Sequence, residues 1–339
     1  MLQFLKYLLL PFSLIYKGIT SFRNLLFDFG ILPSFQPPLP TIGVGNLTVG
    51  GTGKTPIIDY LISILISKKL GVISRGYGRK TKGFLQIEVT STSKEVGDEP
   101  FMLFTKNPSV TFFVSESRVE GFQKALKIRP DLEIVLFDDI FQHRYIKPAL
   151  NILLCDYQRP FYDDFVLPSG LLRESRTGAR RGDIVMVTKC PENISEKTKL
   201  SIRNKIKKYC ESSTPIYFSY FKTLKPQNSK KEILKNNSEI VLISGLANNL
   251  GFRNSLESNF KVLKHFCFRD HHDFGRAEIE QIVTTYPNAK FVCTEKDFVK
   301  IESLLDNQSL GNFYVCGQKV VLFEEESFKK LILERVAFI

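Results

Sequence analysis

Short, almost wholly apolar runs alternate with segments of helical period along much of the chain. Runs at 41–47, 70–74, 110–114, 134–137, 152–156 and 184–188 read as strands buried on both faces. Between them, residues 56–67, with apolar positions at Ile57, Ile58, Leu61, Ile64 and Leu65, read as a helix, as do residues 118–127. A second set follows, with strands at 239–244, 262–268 and 290–294 and helices at 253–258 and 276–286. This alternation predicts an α/β fold, a parallel sheet with helices on both faces, followed by a smaller second α/β domain. The polar stretch 224–237, rich in Lys, Asn and Ser, marks the passage between the sets. The expected division is an N-terminal helix over 1–33, a first domain over 34–225 and a second over 226–339, the boundary falling within 178–235.

The first residues differ from this pattern. From Tyr7 to Tyr16 ten residues pass without a charge, and Lys6, Lys17 and Arg23 punctuate an apolar run that Phe22, Leu25, Leu26 and Phe27 continue. A spanning helix needs roughly 20 apolar residues, so this one is too short to cross a bilayer. It also lacks the small-residue cleavage site of a signal peptide. Apolar and aromatic residues interleaved with basic ones predict a helix lying in the plane of a membrane surface, the alternative being a helix packed into the core.

Composition fits a folded protein: 339 residues, 43% hydrophobic and 24% charged. The net charge of +12 suits anionic partners, whether nucleic acid, lipid or phosphorylated substrate. No Lys/Arg run reaches five, and no basic aromatic stripe is present, so nucleic acid is not expected as a partner. The six Cys form no C-x-x-C pair, and several sit in apolar runs, as small buried hydrophobes do in a reducing compartment.

The chemistry begins at residues 43–56, Gly-Val-Gly-Asn-Leu-Thr-Val-Gly-Gly-Thr-Gly-Lys-Thr-Pro, between a strand and a helix. This is the setting of a Walker A phosphate loop, although Thr48 occupies the first Gly position of G-x-x-x-x-G-K-T. Gly50, Gly51, Thr52 and Gly53 would turn backbone N–H groups onto phosphate oxygens. Lys54 would meet the β- and γ-phosphates, and the Thr55 hydroxyl a magnesium ion. Residues 133–139 form an apolar strand ending in Asp138 and Asp139, the Walker B arrangement that brings carboxylates to the same magnesium. ATP and Mg2+ are the expected cofactors. Gly97-Asp98-Glu99-Pro100 offers Asp98 either as an acceptor for a substrate proton or as a cap for the helix starting near Pro100, and spacing does not separate the two.

Taken together, the motifs at 45–56, Ser-Arg-Gly-Tyr-Gly-Arg (74–79), Gly-Asp-Glu-Pro (97–100), Asp-Asp-x-Phe-Gln-His (138–143), Leu-Pro-Ser-Gly-x-Leu-Arg-Glu (167–174), Asp-His-His (270–272) and Thr-Glu-Lys-Asp (294–297) resemble the tetraacyldisaccharide 4′-kinase family, in order and over nearly the whole chain. Ile140 stands where the family has Gly, and Asn248-Asn249 where it has a Pro nearby. An Ile at 140 would disfavour positive φ in that loop. The resemblance implies a kinase at the cytoplasmic face of the inner membrane that phosphorylates an acylated glucosamine disaccharide 1-phosphate. It also implies pairing of Asp98 with a His of the second domain; His271 is taken for this role, with His272 as the alternative. Arg75, Tyr77, Arg79, His143, Arg173 and Glu174 become candidates for the sugar and its phosphate, since Arg presents a planar fork of donors to such groups.

Two other readings compete. A GTPase-type switch or metal-insertion chaperone would use residues 185–189, Val-Met-Val-Thr-Lys, before a guanine-reading loop, but position 191 is Pro where that loop needs Asp. A metal site at Asp270-His271-His272-Asp273 lacks a third clustered ligand, and adjacent residues diverge.

Overall fold

The computed structural model describes residues 8–337. The expectations resting on residues 2–7, Lys6 among them, lie outside that range. Two sheets organise the chain. Strands β1 (Thr41–Asn46), β2 (Leu70–Ser74), β3 (Leu85–Gln86), β4 (Thr111–Val114), β5 (Ile134–Asp138), β6 (Leu150–Asp156), β7 (Ile184–Thr188) and β8 (Ile216–Thr223) enter the larger one. Strands β9 (Glu239–Ser244), β10 (Lys261–Cys267), β11 (Lys290–Thr294) and β12 (Phe313–Cys316) form the smaller, in the order β10-β9-β11-β12. The chain then returns, and β13 (Gln318–Leu322) closes the larger sheet as β13-β8-β7-β6-β1-β5-β2-β4-β3. Only the terminal pairs β3–β4 and β8–β13 of that sheet are antiparallel. All pairs of the smaller sheet are parallel.

Buried parallel strands are apolar on both faces, which is why β1, β2, β4, β5 and β7 are buried at every position. Helices α1 (Leu10–Asp28), α2 (Lys54–Leu65), α3 (Asp98–Lys106), α4 (Arg118–Ile128), α5 (Glu196–Ile206), α6 (Asn249–Glu257), α7 (Arg276–Thr285), α8 (Glu295–Ile301) and α9 (Glu325–Ala337) complete the picture. Phe328 and Ile332 of α9 are fully buried beside Ile57 and Tyr217, in the core of the larger sheet. Residues 318–337 therefore pack with the first sheet. A single continuous unit over 226–339 does not describe this return, because β13 finds its hydrogen-bond partners on β8 and α9 its apolar surface on α2 and β8.

Strands β8 and β13 are not marked by apolar pattern alone. Tyr220, Lys222, Gln318 and Lys319 lie near the sheet edge, where polar residues cost nothing. Asn248 caps α6 by accepting from Gly251 N at 2.9 Å, so that helix starts earlier than its periodicity suggests. Five of the six cysteines are buried and none is paired; Cys267, on the edge strand β10, is exposed.

Helix α1 has an inverted surface. Several of its polar residues bond inward: Ser13 Oγ donates to Val166 O and accepts from Ser169 N, each at 2.9 Å. Arg23 donates to Gln142 O at 2.6 Å and Asn24 to Glu174 Oε2 at 2.6 Å. Phe12, Leu14, Ile15, Ile19 and Phe22 each remain more than 60% exposed. No described helix is long and apolar enough to cross a membrane.

Candidate active site

The site lies at the C-terminal ends of β1, β2 and β5, where a parallel sheet opens its crevice. Between β1 and α2 the chain forms the glycine-rich loop. Asn46 ends β1 and donates to Thr48 O at 2.8 Å, while Val49 N and Leu171 O, and Arg173 N and Leu47 O, lace the loop to segment 171–173 at 2.8 and 2.7 Å. Gly50 and Gly53 adopt φ of 102° and 89°, open chiefly to glycine. A Cβ on Gly53 would also collide with the Phe221 ring. On the far side Thr188 Oγ1 donates to Thr52 O at 2.7 Å, and Lys189 donates to Gly51 O while pairing with Asp156 at 2.8 Å. The loop is held from both sides with the N-terminus of α2 beneath it. That end leaves unpaired N–H groups and partial positive charge, an anion site by construction.

Three carboxylates face this loop. Lys54 Nζ is 3.4 Å from Asp139 Oδ1, and Arg173 Nη1 is 3.1 Å from Asp139 Oδ2. Burial works to raise the Asp139 pKa, but these two cations hold it below the usual value. Asp138 lies deeper, 6% exposed. Ser74 Oγ donates to its Oδ2 at 3.1 Å, and its Oδ1 has no partner. Burial, with Glu99 and Asp139 adding like charge, pushes Asp138 up to about 6. The third carboxylate is Glu99, whose Oε2 accepts from Thr55 Oγ1 at 2.9 Å. Beneath the cluster the guanidinium of Arg118, itself lowered to about 10 by burial, donates to Asp138 O at 3.0 Å. Among the described residues no group of three His, Cys, Asp or Glu converges closely enough to hold a metal by side chains alone.

Positive φ in the following loop falls on Asp139, at 50°, not on residue 140. Ile140 is therefore free of strain. It packs over Gly43, where a Cβ would come within 2.6 Å of Ile140 Cγ2.

Asp98 and His271 meet from different sheets. His271 Nδ1 is 3.1 Å from Asp98 Oδ2, and Lys300 Nζ is 3.3 Å from the same oxygen. Burial would raise the Asp98 pKa, yet the His271 hydrogen bond and the Lys300 charge leave it lowered. His272 points elsewhere: its Nε2 is 2.9 Å from Glu278 Oε2 and its ring stacks on Phe268. Asp98 is the first residue of α3, but the N-cap is Gly97 and no side chain caps that end, so Asp98 does not cap the helix and its carboxylate faces His271 and Lys300 instead.

Two cavities adjoin. One, about 500 Å³, is lined by Gly51–Pro56, Asp59, Met102, Phe221 and Phe252. The other, about 690 Å³, is lined by Tyr16, Thr20, Arg23 and Asn24 of α1 together with Arg75, Tyr77, Asp138, Asp139, His143, Arg173, Glu174 and His271. Gly51, Lys54, Glu99 and Asp270 border both. Of the residues expected to meet the sugar, Arg79 is not brought there. Its guanidinium is spent on Glu116 at 2.6 Å and on Gly83 O, folding the 75–83 loop. Glu174 reaches the cavity wall with its carboxylate filled by the Arg181 fork at 2.9 and 2.7 Å, Asn24 at 2.6 Å and Gln142 at 3.1 Å. His143 is pulled down to about 4, by burial and then by Arg118 and Arg75, so it is neutral.

Glu99, Arg118 and Lys300 escaped the sequence reading. Glu99 had a signal: in the first turn of a helix adjacent residues diverge by about 100°, so Asp98 and Glu99 address different neighbours. Arg118 and Lys300 had none.

The model of the family described as tetraacyldisaccharide-1-P 4'-kinase matches residues 5–337. A tetraacyldisaccharide 4'-kinase of Cytophaga hutchinsonii is 43% identical over 98% of this chain and 96% of its own length. One of Flavobacterium psychrophilum is 39% identical over 99% and 98%. Among solved structures, LpxK from Aquifex aeolicus, crystallised in complex with ATP, superposes with a TM-score of 0.78 at 32% identity, over 98% of this chain and 99% of that one.

Proposed function

The chain belongs to the tetraacyldisaccharide-1-P 4'-kinase family, and from that premise we infer that it transfers the γ-phosphoryl group of ATP to the 4′-hydroxyl of a tetraacylated glucosamine disaccharide 1-phosphate in lipid A biosynthesis. The observation that carries this reading to the site is the shared wall. Lys54, Gly51 and Glu99 stand between a cavity beside the phosphate loop and one lined by α1, so a nucleotide and a membrane-borne acceptor can meet across Lys54.

Each group then has a role. The loop 50–53 and the N-terminus of α2 bind the nucleotide phosphates, and Lys54 draws the transferring group toward the acceptor. Magnesium, when bound, neutralises charge on the phosphates and orients them. Thr55 and Asp138 fit that ion, since the Asp138 Oδ1 is buried without a partner and the Thr55 hydroxyl lies beside Glu99. Few protein ligands suffice for Mg2+, which takes others from phosphate and water. Asp139 holds Lys54 and Arg173 in place and completes the acidic wall. Asp98 accepts the proton of the 4′-hydroxyl, with His271 orienting it and sharing the gained proton. Arg75, Tyr77, His143 and Arg173 face the acceptor, while Glu174 fixes the wall through Arg181 and Asn24.

The same reading covers organisation and place. The nine-stranded sheet with α1 and α9 forms the kinase domain and the four-stranded sheet a smaller one that delivers His271. Helix α1 lies on the cytoplasmic face of the inner membrane, its exposed apolar side toward lipid and its polar side toward the acceptor cavity. The guanine-switch reading is not favoured: Lys189 is engaged by Gly51 and Asp156, and residue 191 is Pro.

Incubation with γ-labelled ATP and detergent-dispersed acceptor tests the function. Labelled lipid and ADP should appear in equal amounts. Phosphate release without labelled lipid would overturn it.

A further inference from the structure

Lys300, on α8, has a side chain only 6% exposed. Burying an ammonium is costly unless its protons are placed, so its partners define its use. It donates to His272 O at 2.8 Å and to Asp98 Oδ2 at 3.3 Å. It lies 3.8 Å from Asp297 Oδ1, an atom with no hydrogen bond, and 5.3 Å from the centre of the Phe274 ring. These partners come from three places: α3 on the larger sheet, the 269–275 loop, and α8 itself. The loop needs holding, because His271 sits at φ 59°, a left-handed conformation that a non-glycine residue keeps only when its surroundings fix it. The other charged groups near the pair are Glu99 on α3, and Asp270 with Lys296, bonded to each other at 2.6 Å.

We propose that Lys300 is a positioning residue for phosphoryl transfer, fixing the Asp98 carboxylate with one proton and the backbone of the His271 loop with another. The proposal rests on the reading of Asp98 as the group that takes the hydroxyl proton. A single ammonium holds both members of the Asp98–His271 pair at their meeting point, and its own burial is satisfied only while the two sheets are engaged. Lys300 lines neither cavity and bonds no residue of the phosphate loop, so its contribution acts through Asp98.

The test is a double-mutant cycle on the full-length protein in detergent, with kcat and the KM for ATP measured for wild type, Lys300→Met, Asp98→Ala and the double variant. Lys300→Met should lower kcat on the order of tenfold or more with the KM for ATP nearly unchanged. Lys300→Arg should recover part of the loss. In the Asp98→Ala background Lys300→Met should add nothing, since residues acting as a unit are non-additive. A Lys300→Gln variant carries the same comparison if the Met variant is unstable. Wild-type kcat in the Met or Gln variant, or an equal loss in the Asp98→Ala background, would overturn the proposal. Wild-type kcat in Asp98→Ala alone would instead overturn the role of Asp98.

Discussion

Asp138 bears an ionised oxygen in a buried position with no donor, and that has a measurable consequence. Its folded pKa of about 6 exceeds the ordinary 3.8. Above about 6 the group is charged in both folded and unfolded states, and the folded protein bears the full cost. As pH falls from about 6 to 3.8 the folded state takes up the proton first and the cost disappears. Asp138→Asn should therefore stabilise the metal-free protein at pH 8, by on the order of 2–3 kcal/mol, and not at pH 4. Thermal unfolding at the two pH values checks this, and an equal gap at both would refute it. The same substitution should abolish transfer. Lys54→Ala acts differently: it removes charge beside the phosphates and should lower the rate about a hundredfold or more while the protein stays folded. A kinetic assay alongside a melting curve separates rate loss from unfolding. These residues were legible because local spacing defines them: Lys54 and Thr55 follow glycines, and Asp138 ends an apolar run. Arg118 and Lys300 were not legible, because their partners Asp138 and Asp98 lie 20 or more residues away; Glu99 carried only the signal of its place beside Asp98 in a first helical turn. Arg79 shows the converse, since a basic residue in a glycine-rich loop is equally suited to bracing the loop, as its bond to Glu116 does.

Among the elements, α1 departs furthest from a globular helix. An apolar run readable in sequence did not reveal which side would face the protein, since Phe, Leu and Ile occur on every face. In the fold, hydrogen bonds from Ser13, Tyr16, Arg23 and Asn24 claim the inner side and leave Ile15, Ile19 and Phe22 outside. Replacing Ile19 and Phe22 by Asp should cost little folding stability, because both are already solvated. It should weaken binding to vesicles and raise the KM for the lipid acceptor, with the KM for ATP unchanged. Vesicle sedimentation paired with steady-state kinetics would show this, and undiminished sedimentation would count against the membrane role. The strand–loop–helix of residues 41–65 was readable throughout. The edge strand β13 and its neighbour β8 were not, because neighbouring strands supply the order that their mixed sequences do not specify.

At the scale of the whole molecule, the glycine-rich loop with Lys54 and the Asp138–Asp139 pair reside on the larger sheet, while His271 and Lys300 arrive from the segment built on the smaller one. Their contact with Asp98 requires both sheets to be engaged, so on the proposed reading the assembly of the Asp98–His271 pair depends on that engagement. This division could be anticipated from two alternating sets of strands, but not the return of residues 318–337 to the first sheet, which depends on β8 being open to a partner. The most direct measurement is the turnover of labelled ATP and acceptor by Asp98→Ala, His271→Ala and the double variant. Each single variant should lose kcat by far more than its KM for ATP changes, and the double variant should be little worse than the worse single. Fully additive losses, or a His271→Ala protein with undiminished kcat, would contradict the account.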